Sequence, residues 1–154
     1  MKKKIFLLTI ILIISCTKRE DNTQGNIINK WHLISIIENG TAITNYTCNT
    51  NFDITEFSAN GVSKTDYSDK NPQGVCTQYT DIGSYTIANN ILEDIQKNTS
   101  NTIIYRAKYK ILELTSTTLK LSLLYLYESN TNGSNSHTSN FLEGQEVKVY
   151  SKIN

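Results

Sequence analysis

Between Tyr105 and Ile111 the chain reads Tyr-Arg-Ala-Lys-Tyr-Lys-Ile, apolar and charged residues in strict alternation. A period of two puts Tyr105, Ala107, Tyr109 and Ile111 on one face and Arg106, Lys108 and Lys110 on the other, the pattern of a half-buried β-strand. That period runs through most of the chain. Lys30 to Glu38 has Trp31, Leu33, Ser35 and Ile37 on one side. Phe52 to Phe57, Val62 to Tyr67, Gly83 to Ala88 and Ile91 to Ile95 read as further strands. Leu119, Leu121, Leu123, Tyr125 and Tyr127 line one face of a long strand, and Glu146 to Ile153 closes the chain with Val147, Val149, Ser151 and Ile153 on one side. No stretch keeps a helical period for three turns; Ile91 to Asn98 comes nearest.

Turn chemistry separates these runs. Ser58-Ala59-Asn60-Gly61 carries the Asn-Gly pair that favours hairpins, and Asn89-Asn90 predicts a tight turn. Eight short strands joined mostly by hairpins predict an all-β fold, an antiparallel meander with one oily face. Rolling that sheet into an eight-stranded up-and-down barrel buries the face and removes both open edges. A β-sandwich is the alternative, though it usually needs longer crossings between its sheets. Ser129 to Asn140, rich in Asn, Ser, Thr and Gly and without an apolar anchor, is expected to be a long mobile loop.

The first residues obey a different rule. Lys2, Lys3 and Lys4 precede an uncharged run from Ile5 to Ser15. As a helix that run would reach about 16 Å, against roughly 30 Å for the hydrocarbon core of a bilayer. A basic start, a short apolar centre and a small residue at the end make residues 1–15 a signal peptide. Ile13-Ile14-Ser15-Cys16 resembles the lipobox of bacterial lipoproteins. The resemblance implies cleavage before Cys16, a diacylglycerol on its sulfur, and a third acyl chain such as palmitate on its amine. Two or three chains hold a protein firmly to a membrane. Lys18-Arg19-Glu20-Asp21 is partly similar to the charged signal that sends some Bacteroidota lipoproteins to the outer face of the outer membrane; an ordinary solvated tether reads the same way. Residues 16–28 are expected to form a flexible lipidated tether, and 29–154 the folded domain.

Removing residues 1–15 leaves 139 of the 154 residues, one domain's worth. It also lowers Lys+Arg from 15 to 12 against 14 acids, which gives no electrostatic reason to seek nucleic acid. With Cys16 lipidated and the chain exported, Cys48 and Cys76 remain as a pair expected to form a disulfide. There is no Cys-x-x-Cys motif to suggest a redox or metal site.

Four short motifs then stand in order: Asn29-Lys30-Trp31-His32-Leu33, Phe57-Ser58-Ala59-Asn60-Gly61, Gly83-Ser84-Tyr85-Thr86-Ile87, and Leu114-Thr115-Ser116-Thr117-Thr118-Leu119-Lys120-Leu121. Over roughly residues 27 to 153 the chain resembles the lipocalin-like lipoproteins of Bacteroidota. That resemblance implies a lipocalin-like barrel closed at one end by Trp31. Two positions depart from the pattern. Asn29 stands where the family has Gly, and no late arginine follows to stack on the tryptophan, since the only arginines are Arg19 and Arg106.

Candidate chemistry is sparse. His32 alternates away from Trp31 and His137 lies in the Ser129 to Asn140 segment, so neither is placed to serve a nucleophile or a zinc ion. Glu93 and Asp94 are adjacent and point to opposite strand faces. No cofactor or metal is expected. Tyr85, Tyr105, Tyr109, Tyr125 and Tyr127 all fall on the apolar phase of their strands. They either fill a packed core or line a pocket for a small apolar or amphipathic ligand. The sequence therefore predicts a non-enzymatic outer-membrane lipoprotein that binds such a ligand. The alternative is a cell-envelope scaffold with a filled barrel whose loops meet a protein partner.

Overall fold

The computed structural model describes residues 27–44, 48 and 53–153. The expected signal peptide, the lipidation site Cys16 and the strand start at Phe52 lie outside these residues, as does the tether up to residue 26.

Ten strands follow one another: β1 (Asn29–Glu38), β2 (Thr41–Ile43), β3 (Ile54–Phe57), β4 (Val62–Lys70), β5 (Cys76–Ala88), β6 (Ile91–Lys97), β7 (Ile103–Leu114), β8 (Thr118–Glu128), β9 (His137–Asn140) and β10 (Glu146–Lys152). Every pairing is antiparallel. The ring runs β1-β3-β4-β5-β6-β7-β8-β10, and β10 closes it by pairing with both β8 and β1. A closed eight-stranded barrel results, and the closing ladders exclude the sandwich. The eight ring strands are those predicted from alternation, including Ile91–Lys97, whose weak helical period loses to sheet pairing on both sides. Two strands were not predicted. β2 lies beside the upper end of β1, and β9 beside Tyr125–Glu128. The second corrects the reading of Ser129 to Asn140 as a mobile loop. Its ladder to β8 uses backbone groups, and Asn130 Oδ1 ties the turn by accepting from the N–H groups of Asn132 and Ser134, so no apolar anchor is needed.

The two ends of the barrel differ. One end carries three tight hairpins and both ends of the described chain. At residues 58–61 Gly61 adopts φ 79° while Asn60 stays at negative φ, a type I turn with a bulge rather than the mirror-image turn. Asn89 and Asn90, at φ 52° and 61°, form the left-handed pair that a two-residue hairpin needs. This end is packed shut. Trp31 and Ile27 are fully buried there, and the indole Nε1 donates to the Ile27 carbonyl at 2.8 Å. Ile27 thus belongs to the core, and the expected tether through residue 28 stops short of it. Phe57 meets Tyr85 edge-on with ring centroids 5.0 Å apart, while Leu92, Ala107, Ile111 and Leu119 complete the layer. Arg106 takes no part: it sits on the outer face at 3.5 Å from Glu93, which Lys108 also meets at 3.7 Å.

The opposite end carries the longer connections. Cys48 and Cys76 are joined there with Cα atoms 5.7 Å apart, tying Cys48, which lies between β2 and β3, to the first residue of β5.

Four register shifts interrupt the ladders; one makes Ile104 extra in β7 beside Gln96 and Lys97, and the other three decide which core and cavity side chains face inward. Leu33 pairs with Tyr150 and Ser35 with Val149, so Ile34 is the extra residue in β1. Ile111 pairs with Leu121 and Glu113 with Lys120, which makes Leu112 extra in β7. Lys108 pairs with Tyr125 and Tyr109 with Leu123, which makes Leu124 extra in β8. Each insertion inverts the alternation beyond it.

Candidate functional site

Above the packed layer the barrel opens into a cavity of about 370 Å³. Its floor is Leu33, Phe57, Leu92 and Leu121; its walls are polar. Four carboxyl groups (Asp53, Asp81, Asp94 and Glu128) face it, together with one ammonium, Lys148, and the rings of Tyr67, Tyr105, Tyr109 and Tyr150.

Strand alternation, reset by the Leu124 bulge before Glu128, places all of these groups but Asp53, which directly precedes β3. Tyr105 and Tyr109 sit four residues apart on β7, which brings their hydroxyls to 3.0 Å. Lys148 reaches across from β10, donating to Tyr109 Oη at 3.3 Å, with its Nζ 5.4 Å from the centre of that ring. Asp94 on β6 accepts from Ser63 Oγ at 2.5 Å. That contact needs Gly83 between them: a Cβ there would lie 2.8 Å from Ser63 Oγ and 2.9 Å from Asp94 Oδ1. Thr55 and Thr65 share a hydrogen bond of 3.2 Å on the wall between β3 and β4.

Electrostatics follow from burial. Desolvation raises the Asp94 pKa, against the hydrogen bond from Ser63 and the attraction of Lys148. It raises that of Asp53 as well, against the attractions of Lys148 and His32. Burial likewise pushes the phenols of Tyr105, Tyr109 and Tyr150 up. For Lys148 burial opposes the charge, yet the oxygens of Tyr150 and Tyr105 and the carboxyl groups of Glu146 and Asp53 outweigh it, so the ammonium keeps its proton. Lys148 and the three phenols therefore act as fixed donors, and none of them is tuned to trade a proton near neutrality. Among the described residues no group of three or more His, Cys, Asp or Glu side chains is arranged to hold a metal ion.

The five tyrosines predicted to face inward divide three ways. Tyr105 and Tyr109 line the cavity. Tyr85 faces inward but belongs to the packed layer, its hydroxyl donating to the Ser58 carbonyl at 2.9 Å. Tyr125 and Tyr127 are on the outer face, a correction that the Leu124 bulge explains. Beyond it Leu126 turns inward opposite Ala107, while Tyr125 and Tyr127 pair with Lys108 and Arg106. His32 lies off the cavity, and His137 shares a 2.8 Å hydrogen bond with Ser139 on exposed β9. Lys148, Tyr150 and the four carboxyl groups were missed. In β10 the apolar positions Val147 and Val149 pair with the outward Ser122 and Lys120, whereas Lys148 and Tyr150 pair with the inward Leu121 and Leu119. The stretch after β9 crosses that outer face, with Gly144 N–H donating to the fully buried Ser122 Oγ at 2.8 Å. A buried outer face gave the strand the wrong apparent polarity.

Comparison with known proteins agrees with the fold. A family model described as a lipocalin-like domain matches residues 27–121, more than half of the chain. Solved structures that match include a lipocalin-like protein from Bacteroides uniformis, 14% identical with a TM-score of 0.50, over 84% of this chain and 100% of that one. An uncharacterized protein from Bacteroides eggerthii, also 14% identical with a TM-score of 0.49, is covered over 98% of its length and 82% of this chain. At such identity the first likeness speaks for the fold alone. No curated protein matches the chain.

Proposed function

Since the chain belongs to the lipocalin-like domain family, we propose that its barrel is a non-enzymatic binding compartment for one small amphipathic molecule. The observation that carries this reading is the cavity itself. A volume of about 370 Å³ is at the small end of ligand sites, and an apolar floor under a polar wall suits a molecule with an oily body and a polar head. A filled barrel serving only as a scaffold would leave no such space. The donors ringing the cavity hold their protons firmly, which supports binding over proton-transfer chemistry.

The same proposal places the protein in a bacterial cell envelope, held at the outer membrane by lipid on Cys16. Support for that part comes from the basic, apolar and Ser15-Cys16 sequence of residues 1–16. Membrane fractionation of Cys16→Ala tests it: the variant should fold and leave the membrane pellet, and a variant that still pellets refutes the anchor. Native mass spectrometry of the protein purified gently from its host tests the binding. One reproducible small molecule per chain is the expected result. An empty protein that also takes up no fatty acid, sterol or amine would return the reading to a scaffold with a protein partner.

A further inference from the structure

The cavity also says which kind of head group it suits, a step that rests on the binding reading above. Its wall brings four carboxyl groups together with a single ammonium. Lys148 carries a single charge, its attraction is felt at both Asp53 and Asp94, and the polar contact its ammonium makes is with the Tyr109 hydroxyl at 3.3 Å. An anionic head entering this space would meet four carboxyl groups against one ammonium. A cationic head would meet the opposite field.

The rings point the same way. Tyrosine faces attract ammonium groups through the negative face of the ring, most strongly where water is displaced. The protein's own ammonium already sits in this setting: Lys148 Nζ donates to Tyr109 Oη at 3.3 Å, 5.4 Å from the centre of that ring, inside the cavity wall. Tyr105 and Tyr150 line the same space, and Glu128 stands exposed at the opening, its carboxyl group in no hydrogen bond or ion pair among the described residues. Asp94 is fixed from behind by Ser63 across Gly83, so its carboxyl group is positioned before any ligand arrives.

From this combination we infer that the ligand is an organic cation, an ammonium head carried on a compact apolar or aromatic body. The body rests on Leu33, Phe57 and Leu92. The head lies among the tyrosine rings and the carboxyl groups that Lys148 leaves uncompensated.

The test is calorimetric titration of the purified full chain at pH 7 with three probes that share a phenylethyl body: 2-phenylethylammonium, 2-phenylethanol and 3-phenylpropanoate. The ammonium should bind one to one and roughly tenfold more tightly than the alcohol, with the carboxylate weakest. Glu128→Gln, at the exposed opening where folding is not at stake, should weaken the ammonium several-fold and leave the alcohol unchanged; Asp94→Asn should do so more strongly. Carboxylate binding equal to or tighter than ammonium overturns the inference, as does indifference of the ammonium to both substitutions. If none of the probes binds, the cation inference fails. The binding reading fails with it only if the host-purified protein is also empty.

Discussion

Asp94 shows how a single inward carboxyl group couples stability to pH. Its pKa in the folded protein is raised above the ordinary 3.8, chiefly by burial, so the folded state holds the proton when the unfolded chain has already released it. Stability contributed by this group is therefore greatest in acid. It falls as pH rises from 3.8 through the raised value, then levels off. Asp94→Asn should remove that fall, so urea titrations at several pH values should show the variant gaining on the parent as pH rises; a constant difference would refute the assignment. Gly83 belongs to the same constellation. A Cβ at 2.8 Å from the backbone carbonyl of Ile95 cannot be relieved by a side-chain rotation, so Gly83→Ala should cost about 1–3 kcal/mol in chemical denaturation. At the closed end Trp31→Phe keeps a ring but strands the Ile27 carbonyl without its donor. The expected loss, read by the same method, is about 1–3 kcal/mol. The roles of Asp94 and Gly83 are not visible in a sequence, and neither is the bond from Trp31 to Ile27, although the motif around Trp31 already implied that it closes the barrel. The turns are visible: Asn89-Asn90 advertises its left-handed angles in its residue types, whereas the importance of Gly83 depends on what Ser63 and Asp94 do twenty and eleven positions away.

Strands were legible as strands because period-two alternation has a local cause, the pleat. Their facing was legible only up to the first bulge. In β8 the extra residue is Leu124, sitting beside Leu123 in a run of leucines, so the sequence carries no sign that the alternation changes hand there. In β10 the outer valines look like core positions because another segment covers them. These two effects account for the misplacement of Tyr125 and Tyr127 and for the absence of Lys148 and Tyr150 from the predicted site. They also make a prediction at the level of the strand. Replacing Tyr125 and Tyr127 together by Ser should leave ligand affinity unchanged within about twofold, since both sit among outer cations, one of them with Lys108 about 6.0 Å above its ring. Tyr109→Phe, which keeps the ring but removes the hydroxyl bonded to both Lys148 and Tyr105, should weaken binding by several-fold. Equal effects from the two changes would contradict the inverted phase beyond Leu124.

For the whole molecule, closure through β10 joins the last strand to the first and leaves the fold no seam. The disulfide adds a second constraint at the open end. On the chain-entropy view a crosslink between residues 28 positions apart stabilises by about 3.5 kcal/mol, and replacing both Cys48 and Cys76 by Ser should lower the unfolding free energy by roughly that amount. Because the bridge holds Cys48, five positions before the cavity's Asp53, the double variant should also bind the ammonium probe more weakly, an effect that titration would separate from simple unfolding. The packed layer around Trp31 has a consequence of another kind. Ile27 and Ile153 both leave the barrel on that side, so whatever precedes or follows the domain is attached to its base while the opening looks the other way. Like a cup standing on its foot, a barrel held by either terminus keeps its opening turned away from the point of attachment.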